Sequence, residues 1–134
     1  MRNLRELLPI STTPTNVFQH VSFGTTDGAA VYVLGNPYVM KSGETVSFTA
    51  DCIAMTDSRV PVYFARITGV AVCNTNLVVE FNNTVVTDVI FSNNPLMTIE
   101  VTNDSASNNI DVLVGGATIE YLHVTTQFNM TNFF

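Results

Sequence analysis

Two histidines, His20 and His123, and two cysteines, Cys52 and Cys73, are the side chains of this 134-residue chain best suited to chemistry near neutral pH. Base catalysis would need an imidazole beside a nucleophile and an orienting acid. Both histidines fall in strand-like runs, and His20 shares parity with Phe18 and Ser22. Each therefore reads first as a structural or surface residue. Metal binding would need a third ligand, and neither the histidines nor the cysteines have zinc-site spacing. The acidic residues after the first sixteen are scattered singly: Asp27, Glu44, Asp51, Asp57, Glu80, Asp88, Glu100, Asp104, Asp111 and Glu120. They form no Asp-x-Asp-x-Asp-Gly calcium loop. Five of them, Glu80, Asp88, Glu100, Asp111 and Glu120, lie on outward strand parities, where water accounts for them. A carboxylate pair for glycoside hydrolysis would have to be assembled from separate strands. Gly-x-Ser-x-Gly, phosphate-cradling glycine loops and dinucleotide fingerprints do not occur. The expectation is a non-enzymatic chain with no catalytic residue, no cofactor and no metal.

Three further residues are informative. Cys52 shares parity with Val46, Phe48, Ala50 and Ala54 and reads as a buried core thiol. A bridge from Cys52 to Cys73 depends on whether their strands are neighbours. Arg66 falls on the parity of Val62 and Phe64, so it is expected either buried against a carboxylate or at a subunit contact.

The elements that must position these side chains are strands. Val17–Phe23, 29–34, 38–40, Thr45–Met55, Val60–Val72, Leu77–Phe81, Thr84–Phe91, Leu96–Thr102, Ile110–Val114 and 117–126 are rich in Val, Ile, Thr and Phe. Asn, Gly and Pro turns separate them. Thr45–Met55 alternates most cleanly, with Thr45, Ser47, Thr49 and Asp51 outward. Pro61 marks a strand start or edge, and Gly69 a bulge or bend. Asn82-Asn83 and Gly115-Gly116 have hairpin spacing. Nine or ten short strands in this length predict an all-β, antiparallel β-sandwich, jelly-roll-like, as one domain. Its expected parts are an N-terminal arm (1–16), a sandwich (17–126) and a C-terminal tail (127–134).

Composition bounds the partners. Charged residues are 12% of the chain, about half the usual share, so the surface is built mainly from Thr, Ser and Asn. The net charge of −6 is split, with +1 in residues 1–16 and −7 in the rest. Lys41, Arg59 and Arg66, the only cations of the body, are too few and too dispersed to displace counterions from nucleic acid or to hold an anionic membrane. No run is long enough for a membrane helix, and the charged first ten residues lack the apolar stretch of a signal peptide. The expectation is synthesis in a cytoplasm without export.

Both ends are apolar. Leu4, Leu7 and Leu8 line one face of a helix of about two turns, stopped by Pro9 and too short to hold alone. Phe128, Met130, Phe133 and Phe134 crowd the last eight residues. Chain ends are usually polar, so these groups need cover, either from this chain's own sheet or from another chain. Leu4, Leu7, Leu8, Ile10, Phe128, Met130, Phe133 and Phe134 are the candidate partner-binding residues, and a homo-oligomer is expected.

The pattern as a whole resembles small accessory proteins of tailed-phage virions, of the capsid decoration or cement type. The arm with Leu4, Leu7 and Leu8, the compact Thr/Asn-rich sandwich, and the absence of an export signal and a catalytic set carry the resemblance. It implies a jelly-roll-like body, commonly trimeric, in the virion, clamping neighbouring capsid subunits through its arms and tails. Two other readings compete. One is a glycan-binding module, lectin-like or at a fibre tip, using Tyr32, Tyr38, Tyr63 and Tyr121 with loop Asn and Asp. The other is a host-cell β-sandwich interaction domain.

Overall fold

A computed structural model of the chain describes residues 16–26, 31–103, 107–116 and 121–133. These residues form ten strands and no helix. They are β1 (Asn16–Thr26), β2 (Val31–Val33), β3 (Tyr38–Val39), β4 (Thr45–Thr56), β5 (Pro61–Cys73), β6 (Val79–Glu80), β7 (Val86–Ser92), β8 (Thr98–Thr102), β9 (Asn109–Gly115) and β10 (Leu122–Phe133). All pairings are antiparallel. The larger sheet runs β1–β10–β4–β5, with β6 and β7 both beside β5. In the smaller sheet β9 is central, with β8 on one side and β2 and β3 on the other. The chain is an all-β, antiparallel β-sandwich.

The winding is that of a jelly roll in its outer pairs: β1 lies beside β10, and β2 beside β9. The inner strands depart from it, because β4–β5 and β8–β9 are plain neighbours in sequence. Two edge lanes are interrupted strands. Along β9, β2 ends at Val33 opposite Leu113, and β3 resumes at Tyr38 opposite Ile110. Along β5, β6 faces Cys73 and Val72, and β7 resumes opposite Thr68. The Asn82-Asn83 turn forms, with φ of 52° and 59° and Thr84 N–H donating to the Phe81 carbonyl at 3.0 Å. It does not fold β6 back on β7, however. It is a blister in one strand. The Thr84 hydroxyl fills the gap, accepting from Val70 N–H at 2.8 Å and donating to the Val70 carbonyl at 2.9 Å.

The core lies between the sheets. The alternation of β4 buries Val46, Phe48, Ala50, Cys52 and Ala54, and β10 buries Leu122, Val124, Phe128 and Met130. The Phe48 and Phe128 rings meet edge-on, 5.8 Å apart. Pro61 opens β5, as its missing N–H requires. Gly69 is not a bulge: it sits in register opposite Phe48, whose ring occupies the space a Cβ would take. The register shifts fall instead between Ala54 and Met55 and between Phe64 and Ala65.

Three other expectations are corrected. Gly115-Gly116 is not a hairpin turn, because β9 and β10 lie in different sheets. Gly116 has φ of +76°, and a Cβ there would come within 1.8 Å of the Leu96 carbonyl oxygen. The segment Gln127–Phe133 is no tail: it is the second half of β10, paired on both sides with β1 and β4. Asp111, expected outward in water, is buried. It lies on the central strand of the smaller sheet, where neighbours on both sides remove solvent.

Candidate protein-interaction surface

The chemistry-capable side chains come to rest in structural roles. His123 Nε2 lies 2.6 Å from Asp57 Oδ1, and its Nδ1 lies 3.3 Å from Thr25 Oγ1. This is a hydroxyl–imidazole–carboxylate line, but water reaches both ring and carboxylate. The dry, preorganised setting that makes such a relay reactive is not provided. His20 Nε2 meets the Asn36 carbonyl at 2.7 Å and stacks its ring edge-on against Tyr38. Cys52 and Cys73 are buried free thiols. Cys52 faces Ala65 on β5, eight residues from Cys73, or about 26 Å at strand rise, too far for a bridge. Burial pushes the Cys52 thiol up to about 11. Among the described residues no three His, Cys, Asp or Glu side chains cluster to hold a metal ion.

Arg66 lies on the outer face of the larger sheet, not in the interior. Its Nε donates to Asp51 Oδ1 at 2.8 Å, and Asp88 stands opposite it on β7. The carboxylate partner expected for it is present, but the burial expected with that partner is not. Glu44 is the buried carboxylate. It accepts from the Tyr38 hydroxyl at 3.0 Å, from Lys41 N–H at 3.1 Å and from the Asn132 amide, tying β3 and β10 to the start of β4.

The two edges of the larger sheet differ. On β1, Gly35 and Phe23 exchange backbone hydrogen bonds at 2.9 and 3.2 Å, and the Asn36 amide donates to the Val21 carbonyl. The break between β2 and β3 is what lets this loop reach across and cap the edge. No described element lies beyond β7. Val86 and Asp88 face outward beside Thr68 and Arg66, whereas Thr87 and Val89 face inward beside the buried Ile67 and Ala65. All seven residues of β7 are nevertheless exposed, Val86 by 61% and Ile90 by 50%. The smaller sheet ends at β8, so β7 overhangs with both faces and one edge open to water. Such a strand is a ready template for another chain.

Two hollows mark the outer face of the larger sheet. One, of about 460 Å³, is lined by Ile53, Met55, Pro61, Tyr63, Phe64 and Phe91, beside the two register shifts among β4, β5 and β7. The other, of about 510 Å³, is rimmed by hydroxyls and amides, including Ser47, Thr49, Thr68, Thr84, Asn129 and Thr131.

Of the candidate partner-binding residues, Phe128 and Met130 are fully buried in this chain's own core, because β10 is flanked on both sides and covered by the smaller sheet. Phe133 remains 38% exposed at the end of β10. Leu4, Leu7, Leu8, Ile10 and Phe134 lie outside the described residues. The four tyrosines form no common stacking platform: Tyr63 is buried, Tyr38 and Tyr32 pack against the core, and Tyr121 is half exposed beside His123. Ile53, Phe64 and Phe91 are the surface residues that strand reading passed over. Ile53 continues the outward parity of Thr49 and Asp51, and one apolar residue on a polar face was the available signal.

No protein-family model matches the chain. No curated protein matches it either. Among solved structures it is similar to the tailspike protein of Acinetobacter baumannii phage AM24, at 10% identity and a TM-score of 0.44, over 87% of this chain and 26% of that one. The chain thus spans about a quarter of the length of that tailspike. At this score the likeness does not extend to function.

Proposed function

We propose that this chain is a non-catalytic structural protein of a virion. In this reading it assembles as a homo-oligomer, a trimer, and seats on a capsid or another virion protein, stabilising its neighbours by decoration. The observation that carries the reading is the uncovered β7 overhang, whose apolar residues face water on both sides. Burial of such surface contributes roughly 25 cal/mol per Å², repeated at every site of a lattice. The outer face offers few charges, so contacts are wide and weakly polar rather than steered. The virion setting and the trimer rest on the resemblance in sequence pattern. Leu4, Leu7, Leu8, Ile10, Phe133 and Phe134 act as contact groups. Nucleic acid and membrane are not partners.

Light scattering on the purified chain tests assembly: a mass near three times 14.6 kDa is expected. A monomer at all accessible concentrations overturns the assembly reading. Peptide counting by mass spectrometry on particles purified from the source culture tests the setting. Many copies per particle are expected, and absence overturns it.

A second reading is favoured by the hydroxyl- and amide-rimmed hollow of about 510 Å³, which suits a sugar. A glycan array read with the full chain should then show saturable binding that Thr49→Val with Asn129→Leu abolishes.

A further inference from the structure

We infer that the apolar hollow formed by Ile53, Met55, Pro61, Tyr63, Phe64 and Phe91 receives the Leu4–Leu8 segment of a neighbouring copy. The inference rests on the assembly reading above and names the contact that makes the assembly.

Four observations lead there. The first is the chemistry of the hollow. Its lining is almost wholly carbon: the Tyr63 side chain is buried toward the smaller sheet, where its hydroxyl meets the backbone of Ile99. At about 460 Å³ it falls in the ~300–1,000 Å³ class of ligand pockets, and it has no polar groups to orient a small polar ligand. Aliphatic side chains fit it.

The second is the occupant. Leu4, Leu7 and Leu8 are three large apolar groups within five residues, in a segment that precedes the sandwich. The third is charge. The segment carries Arg2 and Arg5, and residues 1–16 sum to +1 against −7 for the rest of the chain. Asp57 follows β4 directly and Asp88 lies on β7 three residues before Phe91, but Arg59 and Arg66 stand beside them, so charge plays only a minor part in this contact.

The fourth is direction and reach. β1 enters the sheet at Asn16, level with Asn132 and Val46. The hollow sits at Ile53, seven residues farther along β4, about 23 Å away at strand rise, and two to four strands across. An extended continuation of β1 therefore leads away from this chain's own hollow. Fifteen residues span up to ~50 Å, enough to cross to a second copy. Pro9 and Pro14 favour an extended course.

Cross-linking in the full chain tests this. Leu7→Cys is made in one preparation and Phe91→Cys in another, and the two are mixed under mild oxidation. Cys52 and Cys73 are buried and stay out of the exchange. The expected product is a reducible dimer of one chain of each kind, at about tenfold the yield of a Glu100→Cys control on the smaller sheet, because docking raises the local concentration. A chain carrying both substitutions should link between copies. A predominantly internal link in that double variant overturns the inference, as does a yield no greater than the control. Light scattering on the same samples separates the two readings. An oligomer without the cross-link sinks this contact and leaves assembly standing, whereas a monomer sinks both.

Discussion

At the scale of single residues, Glu44 concentrates the polar energetics of the interior. Its two oxygens accept three hydrogen bonds, from Tyr38, Lys41 and Asn132. A glutamine offers only one acceptor oxygen and turns an amide N–H toward at least one of these donors. Glu44→Gln should therefore lower stability by about 1–3 kcal/mol, measured by urea denaturation, the cost of leaving a buried donor without an acceptor. The same cluster sets a pH limit. Burial, with help from Glu44, pushes Tyr38 from 10.0 up to about 12. Burial moves Cys52 from 9.0 to about 11. Above their ordinary values the unfolded chain releases these protons while the folded chain keeps them. Stability from both groups is complete below pH 9.0 and is lost progressively as pH rises toward 12. Tyr38→Phe should remove the part of the decline above pH 10.0 and leave the part due to Cys52, which denaturation midpoints across this range will show.

At the scale of elements, the route from β9 to β10 depends on Gly116. Its φ of +76° and the Leu96 carbonyl 1.8 Å from any added Cβ leave no room for a side chain. Gly43 has a similar φ of +79° but open space around it. Gly43→Ala should cost only the left-handed backbone penalty, about 1–2 kcal/mol. Gly116→Ala should cost clearly more, because Leu96 must move as well. Equal losses in thermal melts would refute the steric account. The interrupted lanes follow similar logic. The β2/β3 break sends Gly35 and Asn36 across to protect β1, whereas the β6/β7 blister is spanned by the Thr84 hydroxyl and leaves the far edge of β7 bare. One edge is guarded against pairing and the other is left for it.

At the scale of the whole molecule, the apolar overhang and hollow lie on one end of a sheet whose outer face elsewhere carries hydroxyls and amides, the Asp51–Arg66 pair and, on β1, the exposed Val17, Val21 and Phe23. Association through the overhang and hollow should be driven by burial rather than by charge. Raising salt from about 0.1 to 1 M shortens the screening length from ~10 to ~3 Å, so a charge-driven contact would weaken. Here the dissociation constant, read by analytical ultracentrifugation, should stay level or tighten. Phe64→Ser with Ile90→Ser should abolish association while far-UV circular dichroism is retained, since Ile90 is exposed and Phe64 is only half-buried on the outer face.

The sequence alone determined that this is an all-β chain and, where alternation is clean as in β4, which parity faces inward. That information is local: a period of two places Val46, Phe48, Ala50, Cys52 and Ala54 on one side of β4 whatever its neighbours are. Glycine, proline and asparagine likewise marked most breaks, because their backbone preferences belong to single residues. Pairing was not legible. The Asn82-Asn83 and Gly115-Gly116 turns read as hairpins, yet one is a blister and the other a crossing between sheets. A turn's conformation does not say which partner buries the strand that follows. The same gap left open whether Phe128 and Met130 fold back onto their own sheet or bury against another chain, which β1 and β4 decided by closing on both sides of β10. The hollow at Ile53, Phe64 and Phe91 exists only because residues from three strands converge at two register shifts. Side-chain parity is decided along the chain, but edges, overhangs and hollows are decided by contacts between residues far apart in it.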